Sequence, residues 1–352
     1  MDLQQTIAAV QPPCEGSRAQ AEQRFSDIAM PLGSLGLLQD AVAQIAAIRR
    51  TPRPSIAKRA VVMFCADNGV VAQGVTQCGQ EVTATVVENM GRGQSAVCLM
   101  AQRIGMDSFP VDIGVARDVR GERILGRKSR YGTADMQKDR AMTREEAVRA
   151  VEVGSALAEW CAAQGYDLLC GGEMGIGNTT TSAAVTAALT GADVETVTGR
   201  GAGLSTEGLA RKVRAIQTAL ALHQPDPNDL IDVLHKVGGL DIAGLAGLYL
   251  GAAACGLPAV LDGVISCAAA LIAVRLCPEV RGYLLAGHRS EEPAGALLLR
   301  ELELRPFITA GMRLGEGTGA VAAVSLLDLV FAAYDGMPSF AEAGVEAYQP
   351  LT

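Results

Sequence analysis

From residue 60 onward the chain alternates short apolar runs with longer segments of helical period. The runs lie at 60–65, 109–113, 167–171, 258–261 and 282–286; the helical segments lie near 80–103, 143–163, 178–189, 205–222, 239–254, 264–276 and 293–303. A helix that follows each strand returns the chain to the same end of the sheet, so such strands run parallel. The pattern predicts an α/β fold with a doubly wound, mainly parallel, Rossmann-like sheet. Thr143 with Glu146 forms a capping box that supports one helix start, and a last apolar helix is expected near 318–334. Two helical patterns, about 17–28 and 35–50, precede the sheet, and Pro52 and Pro54 separate them from the first strand. The expected organisation is an α/β catalytic core over 56–335 and a small helical domain from the N- and C-terminal segments, 1–55 plus 336–352.

Forty glycines and only 4% aromatic residues suit close helix-on-sheet packing. A net charge of −8 repels polyanions, which argues against nucleic acid and anionic membrane surfaces as partners. The basic residues of 117–130, from Arg117 to Arg130, are interleaved with Asp118 and Glu122 and read as an exposed excursion. Nine cysteines without a Cys-x-x-Cys spacing suggest neither a disulfide framework nor a zinc site, and fit a reducing compartment. The start, Met1-Asp2-Leu3-Gln4-Gln5, lacks the basic and apolar parts of a signal peptide, so a cytoplasmic location is expected. Ile242 to Leu261 carries no charge, but Gly256-Leu257-Pro258 divides it into a buried helix and a short strand, so no membrane span is expected.

In doubly wound sheets ligands sit beyond the carboxyl ends of the strands. Here those ends lead into Ala66-Asp67-Asn68-Gly69-Val70, Gly171-Gly172-Glu173-Met174-Gly175-Ile176-Gly177-Asn178-Thr179-Thr180-Thr181, Asp262-Gly263, and Gly287-His288-Arg289-Ser290. A glycine turn with Asn178 and Thr179 opening a helix can hold a phosphate on backbone N–H groups; it also fits a plain strand-to-helix turn capped by Asn178. No Lys precedes the threonines, so the run is not a Walker A loop. A second cluster, Thr198-Gly199-Arg200-Gly201-Ala202-Gly203, precedes a helix with Arg211 and Lys212 and could supply another wall; alone, Lys212 reads as a surface-helix lysine.

The run Arg313-Leu314-Gly315-Glu316-Gly317-Thr318-Gly319 frames one carboxylate with glycines directly before an apolar helix. Glycine neighbours let the backbone take φ > 0, so Glu316 is presented to a ligand, as a general base must be. Gly315-x-Gly317-x-x-Ala320 also meets a dinucleotide fingerprint, but too little chain follows to build the βαβ unit that fingerprint opens. Asp262 lacks the paired acidic residues of a magnesium-bound pyrophosphate site, and the histidines at 223, 235 and 288 share no ligand spacing. Neither a metal nor a cofactor is expected.

Taken with Pro31-Leu32-Gly33-Ser34-Leu35-Gly36 and Lys236-Val237-Gly238-Gly239, these motifs resemble, over nearly the whole chain, the nicotinate-nucleotide–dimethylbenzimidazole phosphoribosyltransferases of cobamide (cobalamin) biosynthesis. The resemblance implies a homodimer that transfers phosphoribose from nicotinate mononucleotide to 5,6-dimethylbenzimidazole or a related base, releasing nicotinate and forming α-ribazole 5′-phosphate. It implies Glu316 as catalytic base and Glu173 as the stabiliser of charge at the sugar. Gly175, Gly177, Asn178, Thr179, Gly201 and Lys212 would hold phosphate and ribose. Cys78, Val86, Met174, Leu314 and Gly315 would form the acceptor pocket, and Cys78 and Val86, standing where polar groups are familiar, would make it more apolar and open it to purine or phenolic acceptors. The alternative is a non-catalytic nucleotide-binding sensor homodimer.

Overall fold

The computed structural model describes residues 1–348. Six parallel strands, β1 (Arg59–Ala66), β2 (Asp107–Gly114), β3 (Leu125–Gly126), β4 (Leu168–Met174), β5 (Ala259–Leu261) and β6 (Leu284–Ala286), form one sheet in the order β3-β2-β1-β4-β5-β6. The chain builds outward in one direction from β1 and then in the other from β4. The order therefore reverses between those two strands, where a crevice opens at their carboxyl ends. Register sets Phe64 beside Glu173 and Cys65 beside Met174 at that point.

The expected parallel α/β sheet is present, with local departures. The segment near 80–103 is two helices, Glu81–Gly91 and Ala96–Arg103, because Gly93 turns the chain at φ +73° and Ser95 caps the second helix through the Cys98 N–H. The strand expected from 282 begins at Leu284, after a 3₁₀ turn over Pro278–Tyr283. The two-residue β3 is too short to leave an apolar run. Leu230–Val237, a helix absent from the sequence reading, starts where Asp229 accepts from the Asp232 N–H. The basic excursion is partly tied down: Lys128 pairs with Asp112, Arg117 with Glu88 and Arg130 with Glu146.

Glycine abundance has a direct structural use. Helices Arg144–Ala163 and Leu240–Ala254 touch backbone to backbone: a Cβ on Gly154 would lie 2.0 Å from the Gly244 carbonyl, and one on Gly247 1.8 Å from that of Val151. Every residue from Leu240 to Ala253 is buried, so the stretch that carries no charge from Ile242 onward begins as a core helix, with one acid, Asp241, in its first turn. The Thr318–Gly336 helix is long and apolar enough to cross a membrane by length and composition, and half of that stretch is buried within the fold. Its inner face meets Phe25, Ile28, Val42 and Ile45 of the first helices and Val61 and Met63 of β1 in one apolar cluster. Residues 349–352, assigned from sequence to the small helical domain, lie outside the described residues.

Gly247→Val should force the two touching helices apart. A loss of about 3 kcal/mol is expected, typical of severe overpacking, read as a lower urea midpoint at unchanged slope.

Candidate active site

A cavity of about 180 Å³ lies beyond the carboxyl ends of β4, β5 and β6. Glu173, Met174, Gly175, Gly177, Asn178 and Thr179 line one wall, and Gly201 another. Leu314, Gly315, Glu316 and Cys78 complete the expected residues that reach it. Two do not. Val86 is half-buried on its helix among the apolar residues packed against the sheet, and Lys212 stands behind the lining. At the mouth, the Gln77 carboxamide donates to the Gly203 carbonyl and so ties the Cys78 loop to the second glycine cluster.

Glu316 is held by backbone conformation. Gly315, Glu316 and Gly317 take φ of +86°, +63° and +98° in succession. The left-handed region costs a glutamate about 1 kcal/mol and the glycines little, which is why the charge stands between them. Asp262, buried after β5, keeps the turn in place. Its Oδ2 accepts from the Gly317 N–H at 3.1 Å, and its Oδ1 from those of Gly319 at 2.6 Å and Ala320 at 3.2 Å, while His288 Nε2 lies 3.5 Å away. The N–H groups that a dinucleotide pyrophosphate would need are therefore taken by the chain's own carboxylate. Glu316 Oε2 accepts from the Val97 N–H at 3.3 Å, at the start of the Ala96–Arg103 helix. Burial nevertheless raises its pKa above the ordinary carboxylate value, outweighing the lowering by Val97 and Ser95. The helix that Glu316 precedes does not offset this, because its first N–H groups donate to Asp262.

Glu173 is more deeply enclosed. Its pKa is pushed up to about 8, first by burial and then by the charges of Asp241 and Asp262. The Asn178 carboxamide nitrogen donates both to Glu173 Oε2 and, at 3.2 Å, to Asp241 Oδ2. That carboxamide, expected on a phosphate, is thus committed to two carboxylates. Asp241 itself is fully buried, and burial lifts its pKa to about 6.

Lys212 corrects the surface-helix reading: it is completely buried, and its Nζ donates to Thr179 Oγ1 at 2.8 Å and the Gly199 carbonyl at 3.0 Å. An ammonium has three protons, so these two bonds leave one unspent. Desolvation lowers its pKa to about 8. Sequence reading left Asp262 without a role and passed over Asp241; their signals were an acid directly after a strand run and an acid two residues past Gly239 in a motif already noted. Although five carboxylates, of Asp67, Glu173, Asp241, Asp262 and Glu316, stand near the strand ends, no group of three or more such donors could hold a metal ion among the described residues.

Sheet order and cavity together define a doubly wound α/β enzyme with a small-molecule site beyond the carboxyl ends of its strands. The chain belongs to the phosphoribosyltransferase family whose profile matches residues 10–345. Relatives named nicotinate-nucleotide–dimethylbenzimidazole phosphoribosyltransferase include one from Acetivibrio thermocellus, 46% identical over 94% of both chains, and one from Chloroflexus aggregans, 47% identical over 97% of this chain and 98% of that one. The crystal structure of CobT from Thermus thermophilus superposes with a TM-score of 0.90 at 41% identity, covering 95% of this chain and all of the other.

Two stability outcomes follow from these contacts. The folded chain keeps the Glu173 proton up to about pH 8, whereas an unfolded carboxyl releases it near 4.5, so the folded state binds the extra proton in between and loses stability as pH rises through that window. Glu173→Gln removes this dependence: its melting temperature relative to the parent should climb steadily from about pH 5 to about pH 8. Asp262→Ala leaves buried N–H groups unpaired and should cost about 3 kcal/mol in urea unfolding.

Proposed function

We propose that this chain transfers phosphoribose from nicotinate mononucleotide to 5,6-dimethylbenzimidazole or a related lower-ligand base, giving α-ribazole 5′-phosphate and nicotinate in cobalamin biosynthesis. The observation that carries the reading is Glu316, a carboxylate locked in a left-handed turn on the cavity wall and made more basic by burial. In the reaction the C1′–N bond of the nucleotide breaks and its electron pair neutralises the pyridinium, so the leaving group needs no acid. One acceptor nitrogen forms the new bond to C1′ from the opposite face, and the proton on its other nitrogen passes to Glu316. Glu173, in the form that has lost its proton, faces the positive charge that grows on the sugar. Thr179, Gly175, Gly177 and Gly201 hold the phosphate end, with the Lys212 ammonium behind Thr179 adding its charge, and that binding energy orients the reacting carbon. Cys78, Met174, Leu314 and Gly315 form an acceptor pocket with few hydrogen-bonding side chains, which supports tolerance for other benzimidazoles, purines or phenols.

The reading has the enzyme work as a homodimer in the cytoplasm. An apolar outer face supports a second copy: Leu329 on the Thr318–Gly336 helix is 68% exposed and Leu99 on Ala96–Arg103 is 55% exposed. Nine free cysteines fit a reducing compartment. A small helical unit from both chain ends is supported by the Ile28–Ser339 bridge and the bond from the Ala29 N–H to the Pro338 carbonyl.

Glu316→Gln should fold normally and lose about 10³-fold in kcat, within the range for a general base. Persistence of full transfer would overturn the role. In the parent, the rise of kcat/KM with pH should be centred above 4.5, because a base acts deprotonated and Glu316 is shifted upward. Mass spectrometry of products across benzimidazoles, purines and phenols, with nicotinate release followed in parallel, checks the acceptor; no release with any of them would favour a sensor.

A further inference from the structure

Asp241 is a charge with an unusual amount of structure arranged around it. It stands in the first turn of the Leu240–Ala254 helix, fully buried and outside the cavity lining. Two glycines give way to it: a Cβ on Gly239 would lie 2.4 Å from Oδ1, and one on Gly175 3.1 Å from Oδ2. The groups facing it are Asn178 and Thr181 from the helix after β4, and Asp67 and Asn68 from the loop after β1, with Glu173 across the Asn178 bridge. None is a cation. Isolating a carboxylate in this way costs several kcal/mol unless its bonds repay it. The Asn178 carboxamide joins it to Glu173, and Glu173 lines the cavity.

Resting on the proposed phosphoribosyl transfer, we infer that Asp241 is a positioning residue: through Asn178 it fixes the Glu173 carboxylate against the reacting sugar, and its charge strengthens the negative potential there. The amide spends one N–H on each carboxylate, so removing the Asp241 charge weakens the hold on Asn178 and loosens Glu173 with it. Asp241 itself touches no substrate. The loss belongs to the transition state, where the sugar is most positive, more than to the bound nucleotide.

The test is a double-mutant cycle on the full chain, with nicotinate mononucleotide and dimethylbenzimidazole as substrates. Asp241→Asn is expected to lower kcat at least tenfold with less than a threefold change in KM for the nucleotide, and to move the limb of the pH profile that depends on Glu173 toward lower pH. In a Glu173→Gln background the same substitution should change kcat less than twofold. Equal losses in both backgrounds, or a pH profile that does not move, would overturn the inference. If Asp241→Asn does not fold, Asn178→Ser breaks the same bridge, and the same cycle decides. A parent chain without transfer activity would sink the proposed function instead, so the two failures are distinguishable.

Discussion

Asp262 holds three backbone N–H groups of the turn that presents Glu316, and the site depends on that clasp. A turn of three successive left-handed residues has no stability of its own; a helix start behind it has N–H groups without partners. Each defect answers the other when a buried carboxylate accepts from both. The end of β5 fixes Asp262, the clasp fixes the turn, and the turn fixes the glutamate. Beyond the turn, Glu316 is aimed by the Val97 N–H and Ser95 at the start of one neighbouring helix.

The rest of the cavity follows from where charge is left uncompensated. Acidic groups gather near the ends of β1, β4 and β5 without a lysine or arginine paired to Glu173 or Asp241 among the described residues. The buried ammonium of Lys212 stands behind the Gly201 wall, where the Thr179 hydroxyl and the Gly199 carbonyl hold it. Neutralising these charges against each other would make a more stable protein with nothing left to offer a ligand. Glycine is the residue that permits the separation. At 172, 175, 239 and 287 a Cβ would collide with backbone or side-chain oxygens of neighbouring strand-end loops, so those loops approach more closely than any larger residue would permit.

The parallel sheet was legible in the sequence because strands with helices behind them must be apolar on both faces, and runs such as 60–65 and 258–261 show it. Glu316 and Glu173 were legible because glycines on each side marked backbone that is not ordinary helix or strand. Other parts left weaker marks. A two-residue strand such as β3 has no periodicity, and the break at Gly93 hides inside a stretch that is otherwise helical in pattern. The burial of Lys212 depends on two glycine loops closing over its helix, which no local pattern records. Asn178 was assigned to a phosphate because its place in the turn is right; only the fold shows two carboxylates drawing its carboxamide inward. The family resemblance puts Val86 in the acceptor pocket, but in the fold it packs, half-buried, against the apolar cluster and does not line the cavity.

The opposed placement of Lys212 and the acidic group makes the cavity a dipole. A zwitterion with a phosphate at one end and a cationic ring toward the other fits that field in a single sense, so orientation is selected before any contact with the ring is made. Under the proposed reaction the field also acts on departure. Transfer discharges the pyridinium and leaves both aromatic products uncharged at the ring nitrogen, so the attraction that draws the nucleotide in is weakened by the chemistry itself. On that reading the substrate is held by a charge that turnover erases.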